Sequence, residues 1–162
     1  MRTAEDLVGI RALVIPGGES SAILRLMEPE DLGRRIVARI RVGMPVLATC
    51  AGVILLAQTV MPTQPSLGAL GVDVERNAYG RQLYSTVEKI EIATDLGEPP
   101  QMEAVFIRAP RIVRRDASVE VLGSWGDDAV LVRQGKVLAA TFHPELTNDR
   151  RVHDLFLHTE EA

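Results

Sequence analysis

Two runs in this chain are apolar at successive positions and then stop abruptly. Leu13-Val14-Ile15 halts at Pro16-Gly17-Gly18, and Val46-Leu47-Ala48 passes through Thr49 into Cys50-Ala51-Gly52. A strand wetted on one side alternates apolar and polar residues; a run without alternation has to be covered on both faces, as strands between helix layers are. Between the runs, Leu32, Ile36, Val37 and Ile40 recur at helical spacing, so residues 31–42 read as an amphipathic helix stopped by Gly43. Ser20 or Ser21 is placed to cap a helix after the first run, and residues 53–59 read as a helix after the second. Strand, helix, strand, helix with doubly buried strands predicts an α/β fold: an open, mostly parallel sheet with helices on both faces.

The middle of the chain adds β structure of another kind. Residues 72–74, 86–92, 104–107, 119–122 and 130–132 are short β-like runs, and Gln134-Gly135 has the character of a hairpin turn. These runs predict antiparallel additions to the sheet. Residues 137–142 form the last strand and lead into His143-Pro144-Glu145. Residues 150–159 close the chain as a helix with Val152, Leu155 and Phe156 facing inward.

Bulk properties narrow the function classes. A length of 162 residues suits one domain with a real core, and 46% hydrophobic with 25% charged residues is a common globular balance. A formal charge of −4 with scattered basic residues offers no electrostatic case for nucleic acid. No apolar run is long enough to cross a bilayer, and the acidic start, Glu5-Asp6, lacks a secretory core, so a cytoplasmic setting without membrane attachment is expected. One cysteine makes neither an internal disulfide nor a multi-cysteine zinc site.

Three loops carry the chemistry, each where an apolar strand ends, and ligands of open α/β sheets bind at that rim. Cys50 lies between a strand and a helix with Gly52 behind it, a turn that exposes a nucleophile and favours its thiolate. The N–H of Ala51 is aimed at the same place and suits an oxyanion. A buried cysteine at a tight turn is the equally open alternative. His143 can take the thiol proton and return it to a leaving group, with Glu145 orienting the imidazole; an ordinary loop after a strand would carry the same residues. Gly17 and Gly18 let backbone amides approach a ligand, including a second oxyanion donor, and a plain strand-to-helix turn is again the alternative. The missing Gly-Lys-Ser/Thr ending argues against a phosphate loop. His153 and His158 read as solvated or packing residues of the last helix.

Taken together, Pro16-Gly17-Gly18-Glu19-Ser20-Ser21, Thr49-Cys50-Ala51-Gly52 and Phe142-His143-Pro144-Glu145-Leu146-Thr147 resemble the motifs of the class I glutamine amidotransferase family. Two further segments, Val74-Glu75-Arg76-Asn77-Ala78-Tyr79-Gly80-Arg81-Gln82 and Phe106-Ile107-Arg108-Ala109-Pro110, are similar to those that mark its branch of glutaminase subunits of pyridoxal 5'-phosphate synthase. The resemblance runs from about Glu5 to the end. It implies a flavodoxin-like fold and hydrolysis of L-glutamine to glutamate and ammonia. Cys50 would be the nucleophile and His143 and Glu145 the rest of a triad. Gly18, Glu19, Ser20, Arg76, Ile107 and Arg108 would contact glutamine, and Gly18 and Ala51 would form the oxyanion site. It implies no cofactor and no metal. The implied partner is a barrel-type synthase subunit, joined in a hetero-oligomer and receiving the ammonia. An arginine fork suits the α-carboxylate of glutamine; from the residues alone, Arg76 and Arg108 are as readily surface ion pairs.

One departure from the pattern stands out. The family opens with a strand, a Gly-Leu-Gln-Gly-like loop and a helix, whereas Met1 falls just before the second strand. The chain is therefore expected to be a single amidotransferase domain, residues 1–162, that lacks the first strand at its N-terminal side. Loss of an interior strand is expected to open two sheet edges. Two other readings remain at this point: an amidotransferase subunit of another pathway, and a non-catalytic regulatory subunit.

Overall fold

The computed structural model describes residues 3–79 and 85–161. Gly80, Arg81 and Gln82 of the branch-specific segment lie outside the described residues. The two apolar runs form β1 (Leu13–Ile15) and β2 (Val46–Thr49), paired in parallel with Leu13 opposite Val46. The sheet grows outward from them through β10 (Val137–Ala140), β9 (Asp128–Gln134), β8 (Glu120–Trp125), β5 (Ser85–Ile92) and β6 (Gln101–Ile107), in that order. Pairing is parallel from β1 through β2 to β10 and antiparallel beyond. The α/β class with antiparallel additions is thus as read from the sequence, but the parallel part expected to dominate is confined to β1, β2 and β10, and the antiparallel additions make up the rest of this sheet. A smaller sheet, β3 (Ala57–Met61), β4 (Leu70–Glu75) and β7 (Arg111–Arg115), completes the β structure.

Alternation along the central strands divides the core in two. Val46 and Ala48 of β2 and Val137 and Ala139 of β10 face one side, where they meet Val53 and Leu56 of α3 (Ala51–Leu56), Val60, Leu70, Val72 and Val74 of the small sheet, and Ile23 and Leu24 of α1 (Ser20–Met27). Leu47, Leu138 and Ala140 face the other, against Val152 and Phe156 of α4 (Arg151–Glu161) and Ile90, Met102 and Phe106 of the outer strands. The expectation of helices on both faces is met, with α2 (Leu32–Arg41) laid by Leu32 and Ile36 against Leu7 and Leu13. Among the described residues no helix is long and apolar enough to cross a membrane.

Several local expectations need correction. Helix α1 is capped by Glu19, whose carboxylate accepts the N–H groups of Ser21 and Ala22, so Ser20 is the first helical residue rather than the cap. The helix expected at 53–59 starts at Ala51 and ends at Leu56, because residues 57–61 leave it to pair with β4 as β3. β7 has no counterpart in the sequence reading. Gly43 stops α2 as expected, donating its N–H to Ile40 O at 2.9 Å, and Gly135 turns the β9–β10 hairpin. The open edge at this side of the sheet is β1 alone: β2 and β10 remain paired, so the described sheet does not show two opened edges there.

Candidate active site

The parallel strands deliver their carboxyl ends to one place. The loop after β1, the turn after β2 and the loop after β10 meet the ends of β4 and β6 around a cavity of about 240 Å³. Gly18, Glu19, Ser20, Cys50, Ala51, Arg76, Ile107, Arg108 and His143 all line it, together with Ile54 and Asn77. Every residue that the resemblance assigns to the site is therefore in the cavity wall except Glu145, which stands behind His143. Ile54 and Asn77 were not singled out. Asn77 directly follows Arg76 in the branch-specific segment, and that adjacency was its available signal.

Cys50 is held at the turn between β2 and α3. Its N–H donates to Ala140 O at 2.8 Å, which fastens the turn to β10. Its backbone has φ 48 and ψ −106, a strained conformation for a residue with a side chain, and α3 starts with the next residue. Gly52 makes the turn possible: a β carbon there would lie 2.2 Å from the carbonyl oxygen of Ile15, at the end of β1. Only a residue without a side chain lets α3 come this close to the neighbouring strand.

The thiol is 7% exposed and donates to the Ile107 carbonyl at 3.7 Å. Burial is the largest influence on it and pushes its pKa above the ordinary thiol value; the Ala51 N–H and the Arg108 charge pull the other way, while Glu145 adds to the rise. The expectation that this turn favours the thiolate is corrected here. Helix α3 has only 6 residues, and burial outweighs the lowering by the Ala51 N–H at its start. The Ala51 N–H does face the sulfur, as expected.

His143 is fixed from two sides. Its N–H donates to Val105 O of β6 at 2.8 Å, and its Nδ1 is 2.8 Å from Glu145 Oε1. A carboxylate only accepts, so the proton is assigned to Nδ1 and Nε2 is left as an acceptor, the form a general base needs. Gly17 packs against the same imidazole. Behind the loops, Phe106 and Phe142 are in contact at 5.8 Å between centroids, Phe106 stacks on Trp125 at 5.4 Å, and Trp125 meets Tyr79 edge-on at 5.4 Å. Each of Tyr79, Phe106 and Phe142 lies one or two residues from a cavity residue, so this row of rings ties three loops to a common core.

The polar end of the cavity is built around Arg76. Its Nη2 is 3.6 Å from Glu19 Oε1. Hydrogen bonds from Ser21 and Ala22 hold the Glu19 carboxyl below its ordinary pKa, with a smaller contribution from Arg76. Arg108 has φ 46, a second strained residue in the wall. With a thiol, an imidazole that presents an acceptor, backbone N–H groups and two guanidinium groups, the cavity can attack a carbonyl, move a proton and hold a carboxylate.

A family model described as the SNO glutamine amidotransferase family matches residues 1–161. The chain is 48% identical over 158 residues to pyridoxal 5'-phosphate synthase subunit PdxT of Thermotoga maritima, covering 97% of this chain and 83% of that protein. It is 49% identical over 158 residues to the protein of the same name from Pelotomaculum thermopropionicum, covering 97% and 80%. Among solved structures it is similar to a glutamine amidotransferase with a TM-score of 0.91 and 45% identity, covering 100% of this chain and 85% of the other. A putative GMP synthase protein from Thermoplasma acidophilum shares the fold, with a TM-score of 0.69 and 17% identity over 97% and 76% of the two chains.

Proposed function

The chain belongs to the SNO glutamine amidotransferase family, and we propose that it is the glutaminase subunit of a pyridoxal 5'-phosphate synthase, releasing ammonia from L-glutamine for a synthase subunit. The observation that carries the chemical reading is the convergence of Cys50, the His143–Glu145 pair and Arg76 on one cavity.

The proposed steps use the residues of this cavity in turn. Arg76 or Arg108 receives the α-carboxylate of glutamine and the side-chain amide reaches Cys50. Because burial keeps the resting thiol protonated, it needs a base at the moment of attack. Nε2 of His143 takes the proton as sulfur bonds to the amide carbon. Charge that develops on the carbonyl oxygen is met by the N–H groups of Ala51 and Gly18. The carbon–nitrogen bond then breaks, and the imidazolium, steadied by Glu145, returns its proton to the leaving nitrogen as ammonia. Water, deprotonated by His143, attacks the γ-glutamyl thioester, releasing glutamate and restoring the thiol.

Ammonia in open water would be protonated and lost as a nucleophile. The reading therefore includes a barrel-type synthase subunit, docked in a hetero-oligomer so that the ammonia travels shielded. It also includes a cytoplasmic setting, where a lone thiol stays reduced. The test is ammonia and glutamate release from glutamine, measured for this protein with and without the synthase subunit. Turnover in the complex is expected; none under either condition would favour a non-catalytic subunit.

A further inference from the structure

Gln64 lies outside the cavity wall, on the connection between β3 and β4, yet it touches two residues of that wall. Its Oε1 accepts a short hydrogen bond from Nη1 of Arg76. Its Nε2 donates to Oγ of Ser20 at 3.1 Å, and the same hydroxyl is 3.2 Å from Oε1. Ser20 is 2% exposed and Gln64 is half-buried, so the contact between them is partly shielded from solvent.

The chemistry of the three groups fixes the arrangement. A guanidinium only donates, so the Gln64 atom that faces it has to be the oxygen, and the amide nitrogen is thereby turned to Ser20. A neutral acceptor orients the guanidinium without cancelling its charge. Arg76 carries five N–H donors and is engaged at Nη1 by Gln64 and weakly at Nη2 by Glu19. Donors therefore remain for a carboxylate, and Gln64 adds no negative charge to the one that Glu19 already sets near the guanidinium. A carboxylate at position 64 would hold the arginine equally well but would be a second negative charge beside it, after Glu19.

We propose that Gln64 is a positioning residue for substrate specificity: it locks Arg76 and Ser20 into the geometry that grips the α-amino acid end of glutamine without adding a second carboxylate beside Arg76. The inference rests on the glutaminase reading above. It predicts an effect on substrate grip and not on the bond-breaking steps, since Gln64 touches neither Cys50 nor the His143–Glu145 pair.

The test uses the complex with its synthase partner and two variants close to glutamine in size, Gln64→Met and Gln64→Glu. Loss of a charge-assisted contact at Arg76 is expected to raise KM for glutamine about tenfold in Gln64→Met with kcat within about twofold. Gln64→Glu retains an acceptor for Arg76 and is expected to raise KM further, because it adds negative charge near the substrate carboxylate. As a second measurement, Cys50 is alkylated with iodoacetamide, which has no carboxylate, and with a diazoketone analogue of glutamine. Iodoacetamide should react at the wild-type rate in both variants, and the analogue should be slowed in step with KM. Unchanged KM in both variants, a fall in kcat alone, or equal slowing of both reagents would overturn the proposal while an active wild type keeps the glutaminase reading intact. A wild-type complex inert to glutamine would overturn both.

Discussion

Gly17 and His143 share a boundary with no room for another atom: a β carbon on Gly17 would lie 2.4 Å from Cε1 of the imidazole and 3.3 Å from each ring nitrogen. The glycine after β1 thus sets how far the ring can lean toward the β1 loop. Gly17→Ala is expected to push the ring off its position while the Glu145 bond strains to keep it. A displacement on the order of 1 Å costs about a hundredfold in turnover when the displaced group is a proton carrier. Steady-state kinetics should show the loss in kcat with little change in KM. Wild-type kcat in this variant would mean that the ring has slack the structure does not show.

The His143–Glu145 bond makes a prediction about additivity. In the proposed mechanism His143→Ala removes the base, and it is expected to lower kcat by about 10²–10⁴-fold. Glu145→Gln should lose less, since the Glu145 side chain is 41% exposed and its charge is partly screened. In that mechanism the carboxylate acts only through the imidazole, so the double variant should match His143→Ala alone. Losses that multiply would show that Glu145 has an independent role.

The buried thiol sets a pH dependence. Burial penalises the thiolate, so the folded pKa of Cys50 lies above the unfolded one. The sign follows: the contribution of this group to stability is complete below the ordinary thiol value and is lost as pH rises through the folded value. In the absence of glutamine, the rate of iodoacetamide labelling should keep climbing beyond the range where an ordinary thiol levels off. A plateau already reached near neutral pH would show a resting thiolate and contradict the assignment of proton removal to His143.

Arg76 and Arg108 are both in the cavity wall, and replacing either with Met is expected to act on substrate grip. A lost charge-assisted hydrogen bond to a carboxylate is worth about 1.5–3 kcal/mol, or about tenfold to a hundredfold in KM. Glutamine titrations of the two variants check this. The arginine whose loss leaves KM unchanged is not the carboxylate partner.

The parts of this architecture that were legible in the sequence are those where one requirement dominates. Val46-Leu47-Ala48 has no polar face and became β2, buried on both faces between two other parallel strands; Leu13-Val14-Ile15 reads the same way and does pair in parallel with β2, but β1 lies at the edge of the described sheet with Val14 52% exposed, so the expected burial on both faces does not hold there. Cys50 and His143 could be picked out because each ends such a strand. β3 was missed because no glycine or proline separates Leu56 from Ala57, and an apolar helix runs straight into a strand. β7 was missed because only Ile112 of its five residues is buried; its place is fixed by pairing with β4, a long-range contact. The raised pKa of Cys50 depends on burial that distant segments supply, including the Ile107 carbonyl. The contact of Gly17 with His143 joins opposite ends of the chain, and no local pattern announces it.

Covalent capture of the nucleophile tests the central claim most directly. The complex with the synthase subunit is treated with the diazoketone analogue of glutamine, and the modified peptide is located by mass spectrometry while ammonia release is followed in parallel. The account predicts one adduct, on Cys50, formed in proportion to the loss of ammonia release and prevented by excess glutamine; Cys50→Ala should give neither adduct nor ammonia. Ammonia release by Cys50→Ala at a rate near wild type, or inactivation with the adduct on another residue, would contradict it.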